Sequence, residues 1–246
     1  MRRAILSDIH ANREAFDACL AHARSKRADA YALLGDYVGY GADAAAVVDR
    51  VMRLAEDGAI VLKGNHDAAI EERESYFHPD AHASLDWAGR TLSGDQKRFL
   101  AGLPLVAQSP PASFVHASAV DPAHWTYVDS AAVAARCSDA AGAPYTFCGH
   151  VHDQKLYFAT AKGRMRPFTP VSGVCIPVRR PRHWLGVVGS VGQPRDRNPA
   201  AAYALFDDVA QEITFYRVPY DHHAAARRIR EAGLPGTLAY RIEAGI

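Results

Sequence analysis

Asparagine occurs only three times in 246 residues, as Asn12, Asn65 and Asn198, and cysteine four times, as Cys19, Cys137, Cys148 and Cys175, with no CxxC pair among them. That spacing supports neither a thiolate zinc knuckle nor a disulfide framework, so a reducing cytoplasm is the expected location. No apolar run approaches the roughly 18 residues of a membrane span. The opening MRRAILSDIH turns polar too soon for a secretory leader. Excess charge is also lacking: 28 Lys and Arg stand against 27 Asp and Glu, a net charge of +1. No global field is left to hold long nucleic acid or an anionic membrane, and a small, locally charged ligand is the better match. The P-loop, HExxH and GxSxG patterns are absent as well.

What remains is an ordinary globular composition, 49% hydrophobic and 22% charged, rich in histidine, with 12. Short apolar runs that close on a polar residue recur over the first 150 positions. They are Ala4 to Leu6 before Asp8, Ala30 to Leu34 before Asp36, Ala59 to Leu62 before Asn65, Ser113 to Val115 before His116, and Tyr145 to Cys148 before His150. Between the first three lie helical spacings. Phe16, Cys19, Leu20 and Ala23 follow Asn12 as a cap, and Val47, Val48, Val51, Leu54 and Ala55 follow Asp43. A second pair of helices is predicted over His82 to Leu92 and Ser93 to Ala101, the latter opened by a Ser93/Gln96 capping box. Strand alternating with helix implies a parallel sheet.

After residue 150 the runs are closely spaced: Leu156 to Ala159, Met165 to Val171, Val174 to Val178, Trp184 to Val188, Ala202 to Phe206 and Glu212 to Val218, then a helix over His222 to Ala232. These predict antiparallel strands, interrupted by a polar loop from Gly189 to Pro199. With no repeat or linker, the expectation is one domain over residues 1–246. Its class is α/β, two packed sheets flanked by helices in four layers, the first largely parallel and the second largely antiparallel.

In an open parallel sheet, residues directly after different strands share one crevice. Here these are Asp8, His10, Asp36, Asn65, His66, His116, His150 and His152, a set dominated by metal donors. If Asp8/His10 and His150/His152 lie in extended segments, each pair points to one side and can grip one ion. Seven oxygen and nitrogen donors exceed one site's usual share, so two ions joined by a carboxylate are expected. Carboxylate, amide and imidazole without thiolate suit Mn, Fe or Zn. Two such cations would acidify a bridging water.

The blocks SDIH, LGDYVGYG, KGNHD, FVH and CGHVH, in this order, resemble the signature of the calcineurin-like metallophosphoesterases over residues 5 to 152. The resemblance implies a first metal held by Asp8, His10 and His152, a second by Asn65, His116 and His150, Asp36 bridging, and His66 as the catalytic histidine. It also implies hydrolysis of a small phosphodiester or nucleotide-type ester by a metal-bridging hydroxide. Where many members carry Asp-Arg, this chain has Gly39 and Tyr40, which argues against a protein phosphatase and resembles small bacterial phosphodiesterase-like members. Asp67 or Asp43 is then the candidate to orient His66, while Arg195, Gln193 and Tyr40 are candidate substrate contacts. Other readings are a non-catalytic scaffold on the same fold, a dinucleoside polyphosphate hydrolase, and a nucleic-acid enzyme, the last resting on Arg179, Arg180 and Arg182. His22, His78, His82, His183, His222 and His223 read as ordinary surface or packing residues; His124, beside Trp125, is left undecided.

Overall fold

In a computed structural model that describes residues 1–71 and 77–246, β1 (Arg2–Leu6), α1 (Arg13–Ser25), β2 (Ala30–Leu33), α2 (Ala44–Glu56) and β3 (Ile60–Val61) alternate as expected. The Asn12 side chain caps α1 by accepting from the Ala15 N–H at 3.1 Å. Asp43 precedes α2 without a side-chain cap bond, because its carboxylate is taken by Arg228. After the short α3 (Asn65–Ala68) come α4 (Pro79–Thr91), which begins three residues before the expected start because Pro79 suits a first turn, and α5 (Gly94–Ala101). The Ser93/Gln96 capping box forms with both reciprocal bonds, at 3.2 and 2.9 Å.

The chain continues through β4 (Val106–Ser109), β5 (Ala112–Val115), α6 (Ala131–Ala141), β6 (Tyr145–Cys148), β7 (Gln154–Ala159), β8 (Met165–Phe168), β9 (Cys175–Pro177), β10 (Trp184–Val188), β11 (Ala201–Asp207), β12 (Glu212–Val218), α7 (His222–Glu231) and α8 (Gly236–Ala244). Three of these carried too little periodic signal to be foreseen. They are β4, a polar edge strand, α6, which is mostly alanine, and α8, which opens on Pro235 and Gly236.

The strands form two six-stranded sheets, ordered β3-β2-β1-β11-β12-β9 and β4-β5-β6-β10-β7-β8. Both sheets are mixed. In the first, β3, β2 and β1 run parallel and the rest antiparallel. In the second, only β5, β6 and β10 run parallel. The halves of the chain therefore do not coincide with the sheets: late strands complete the first, while β5 and β6 belong to the second. The run Val174 to Val178 does not continue beside β8 but crosses to pair with β12.

Side-chain alternation explains the layering. Ile5, Ala204 and Phe206 from the first sheet meet Phe114, Tyr145 and Phe147 from the second in a core between the sheets. The alternate residues Ala4, Leu6, Tyr203 and Leu205 face outward onto Phe16, Leu20, Val47 and Val51 of α1 and α2. On the far side Val115, Cys148 and Leu185 pack on Ala134 and Cys137 of α6. This is the expected four-layer order, and it sets the ends of the parallel strands of both sheets along one edge. Among the described residues no helix is long and apolar enough to cross a membrane.

Candidate metal centre

All seven predicted donors meet at that edge, contributed by both sheets rather than one. Asp8, Asp36 and Asn65 follow β1, β2 and β3, while His116 and His150 follow β5 and β6. Asp8, His10 and His152 form one buried group; Asp8, Asp36, His116 and His150 form another; His10, Asp36 and His66 form a third. His152 Nε2 lies 3.3 Å from Asp8 Oδ1. Asp36 Oδ2 stands between the two halves, 3.4 Å from His116 Nε2 and 3.7 Å from His10 Nε2. Asn65 Oδ1 is 3.2 Å from His116 Nε2.

The spacing of the paired donors predicts extended backbone, and the structure differs. Asp8, His10, His150 and His152 are not extended; their φ values are +54°, +50°, +65° and +70°. Asp36 and Tyr40 share the left-handed region, at +58° and +60°. Each such L-residue costs about 1–2 kcal/mol, a strain that cross-loop bonds sustain. Asp8 N–H bonds to Gly35 O at 3.0 Å, His10 N–H to Asp36 O at 2.9 Å, and Gly192 N–H to Asp8 O at 2.8 Å. His150 N–H donates to Asp8 Oδ2 at 3.0 Å.

The ring nitrogens identify the donor atoms. His10, His116 and His152 each present Nδ1 to a backbone carbonyl, of Val38, Leu34 and Gln193, at 3.0, 3.0 and 2.6 Å. A carbonyl can only accept, so each Nδ1 carries hydrogen and each Nε2 is left to aim inward, an arrangement common around metals. All three of these nitrogens face another ring nitrogen: His10 Nε2 and His152 Nε2 each other, and His116 Nε2 the Nδ1 of His150, both contacts at 3.2 Å. Asp8 Oδ1 is buried without a hydrogen bond among the described residues. The facing Nε2 atoms of His10 and His152, whose Nδ1 atoms carry the hydrogens, and an orphaned carboxylate oxygen fit a cation. Burial pulls His10 well below the ordinary imidazole range and His150 down to about 3. Burial also lowers His116, but Asp36 and the charge of Asp8 outweigh it and raise it to about 9, a measure of how strongly the carboxylates draw positive charge there.

His66 lies beside the cluster, its N–H bonded to Asp36 Oδ1 at 2.8 Å, and burial lowers it to about 4. Its Nδ1 has no partner among the described residues and is packed so tightly on Gly39 that a Cβ there would come within 2.2 Å. Neither residue expected to orient it does so. Asp43 is paired with Arg228, and Asp67 accepts three backbone N–H groups instead, from Asp36 at 2.7 Å, Tyr37 at 2.9 Å and Gly64 at 2.9 Å. Burial beside Asp36 pushes Asp67 up to about 7 against those bonds.

A cleft of about 780 Å³ opens over the cluster, lined by Tyr40, His66 and Arg195 among others. Arg195 Nη2 is 3.5 Å from Tyr40 Oη and 3.3 Å from Gln193 Oε1. The side chain of Gln193 is fully buried, so this residue holds His152 and Arg195 rather than facing the cleft. His124 and His78 line the cleft too, His78 as the exposed N-cap of α4. Trp125 and Tyr127, which were not singled out, lie on its wall. Their sequence signal was two aromatics within a polar loop shortly after His116.

The profile of the calcineurin-like phosphoesterase superfamily domain matches residues 1–210, and the chain belongs to that superfamily. It is similar to a metallophosphoesterase from Sphaerobacter thermophilus, with 36% identity, 100% of this chain and 99% of that chain covered, and a TM-score of 0.90. An uncharacterized protein of Methanocaldococcus jannaschii is 28% identical over 98% of this chain and 97% of its own. A hypothetical protein from Pyrococcus horikoshii shares the fold at 19% identity, with a TM-score of 0.82 and coverage of 100% and 98%.

Proposed function

We propose that the protein hydrolyses a small phosphodiester or nucleotide-type phosphoester at a centre of two divalent transition-metal cations, Mn, Fe or Zn. The observation that carries this reading is the pair of imidazole contacts in which inward ring nitrogens face each other around Asp8 and Asp36. Asp8, His10 and His152 would hold one cation, Asn65, His116 and His150 the other, with Asp36 shared. Bound there, the cations supply Lewis acidity for the phosphoryl group and an acidified water at neutral pH. The completeness of the donor set favours an enzyme over a scaffold.

The direct test is titration of metal-free protein with Mn²⁺, Fe²⁺ or Zn²⁺ under calorimetry and thermal melting. Two equivalents are expected to bind and to raise Tm, each site contributing about 2.7 kcal/mol of stabilisation at a hundredfold excess over its Kd. Saturation at one equivalent or none would overturn the two-cation reading. The loaded protein is then assayed on phosphomonoesters, cyclic nucleotides, dinucleoside polyphosphates and generic diesters; activity on none of them would remove the hydrolase reading.

His66 contributes by stabilising or protonating the departing oxygen, a role worth about 10²- to 10⁴-fold. His66→Ala is expected to keep its metal and to lose kcat strongly on an alkyl leaving group but much less on an activated phenolate. Equal losses on both, or loss of metal, would contradict the role.

Arg195 is the candidate anion clamp, since Tyr40 stands where many relatives carry arginine. Its neighbour Asp196 is engaged by Arg217, at 2.6 Å, which leaves the Arg195 guanidinium on the cleft wall. A guanidinium fork pairs with two phosphate oxygens. Arg195→Ala is expected to reduce kcat/KM by about 1.5–3 kcal/mol with unchanged metal content and Tm; kinetics within twofold of the parent would make Arg195 a bystander.

A further inference from the structure

We infer that the cleft takes a planar aromatic ring carried by the phosphoester, and that Trp125 and Tyr127 are the residues that select for it. The inference rests on the phosphoester reading above and adds the kind of group attached to the phosphate.

Both side chains belong to the segment between β5 and α6, which begins at His116. Tyr127 lies nearly parallel to the His150 ring, with centroids 4.0 Å apart and planes at 22°. Trp125 stands edge-on to His116 at 5.8 Å and 75°. Each ring thus abuts a metal-donor histidine, yet Tyr127 remains 48% exposed. Neither ring joins the hydrophobic clusters that hold the layers together. A tyrosine that rests on a histidine with half its surface open to a cleft is a stacking platform, because a second ring can lie on it in the offset geometry aromatic pairs prefer.

The backbone supplies an independent sign. Asp121 and Trp125 both have left-handed φ, +48° and +54°. That conformation is unfavourable for a residue as bulky as tryptophan, and such strain concentrates at ligand clamps. Here it holds Trp125 on the cleft wall. Elsewhere on the cleft, Phe77 and Tyr40 pack on His66, each with centroids 4.7 Å from it. The floor therefore carries the candidate metal ligands, and the walls carry aromatic faces. A volume of about 780 Å³ is more than a phosphate fills, and it falls in the range of roughly 300–1,000 Å³ typical of small-molecule sites.

The test uses phosphonates, whose C–P bond survives the metal centre. Binding of methylphosphonate, phenylphosphonate and the phosphonate analogue of AMP is measured by calorimetry on the metal-loaded protein and on Trp125→Ala, Tyr127→Ala and Tyr127→Phe, with metal content checked in each. The ring-bearing ligands are expected to bind the parent at least about tenfold more tightly than methylphosphonate, the scale of base–aromatic stacking. A gain for phenylphosphonate alone places the ring directly on the phosphate, and a gain for the AMP analogue alone places it beyond a sugar. Either alanine variant should erase the gain while methylphosphonate stays within twofold, and Tyr127→Phe should retain it. Equal affinity of all three ligands for the parent overturns the inference and leaves the phosphoester reading intact. So does a loss common to all three in the alanine variants, which would mean that the rings only buttress His116 and His150. If no phosphonate binds at all, both readings fall.

Discussion

Asp36→Asn is expected to drop the bound metal from two ions to fewer than one per chain and to lower kcat/KM on the order of a thousandfold. Several kcal/mol of transition-state charge stabilisation depend on the cations. Asp36 is the side chain whose single oxygen, Oδ2, approaches donors of both halves, His116 at 3.4 Å and His10 at 3.7 Å. Its other oxygen is already committed to the His66 N–H. An amide in its place either turns N–H donors toward ring nitrogens that are themselves aimed at a cation, or presents one neutral oxygen where a charge was shared. Asn65→Ala removes a donor near His116 alone and is expected to cost no more than one ion. Elemental analysis of both variants after reconstitution decides the matter. Equal metal loss from the two would refute the bridging role of Asp36, whatever happened to the rate.

Asp67→Ala should give the largest loss of stability of any single change at the site that leaves all seven donors in place. The Asp67 carboxylate accepts the N–H groups of Asp36, Tyr37 and Gly64, and so ties the loop after β2 to the loop after β3. Alanine leaves three buried N–H groups unpaired, each at about 1–3 kcal/mol, so a loss of at least about 3 kcal/mol is expected. For a chain of this size that is a fall in Tm of roughly 6–12 °C, measured on metal-free protein so that ligand binding does not mask it. Asp67→Asn keeps one accepting oxygen and should fall between the two. A shift of less than about 2 °C for the alanine variant would mean that the loops find other partners, and the anchoring role would be wrong.

Much of the site could be read along the chain because its chemistry is local. Asp8, Asp36, Asn65, His116 and His150 each follow an apolar run within a few residues, and those runs are strands. Fold class was legible for the same reason, since helix spacing and caps such as Asn12 and Ser93 depend on neighbours three or four positions away. Asp67 was misread for the opposite reason. Its adjacency to His66 suggested a partnership, yet its acceptors meet N–H groups some 30 residues distant at Asp36 and Tyr37.

The sequence by itself determined the candidate donors and the order of the strongly periodic elements, because residue identity and short-range periodicity suffice for these. Only the tertiary structure decided that β5 and β6 join β10 while β11 and β12 join β1. It alone decided that the donor loops are held in left-handed turns rather than extended, and that Gln193 is buried while Trp125 and Tyr127 line the cleft. Strand partners are chosen by which alternate faces can bury against each other across long stretches of chain. Strained turns persist only where several distant loops bond to them at once, and no window of sequence contains that information.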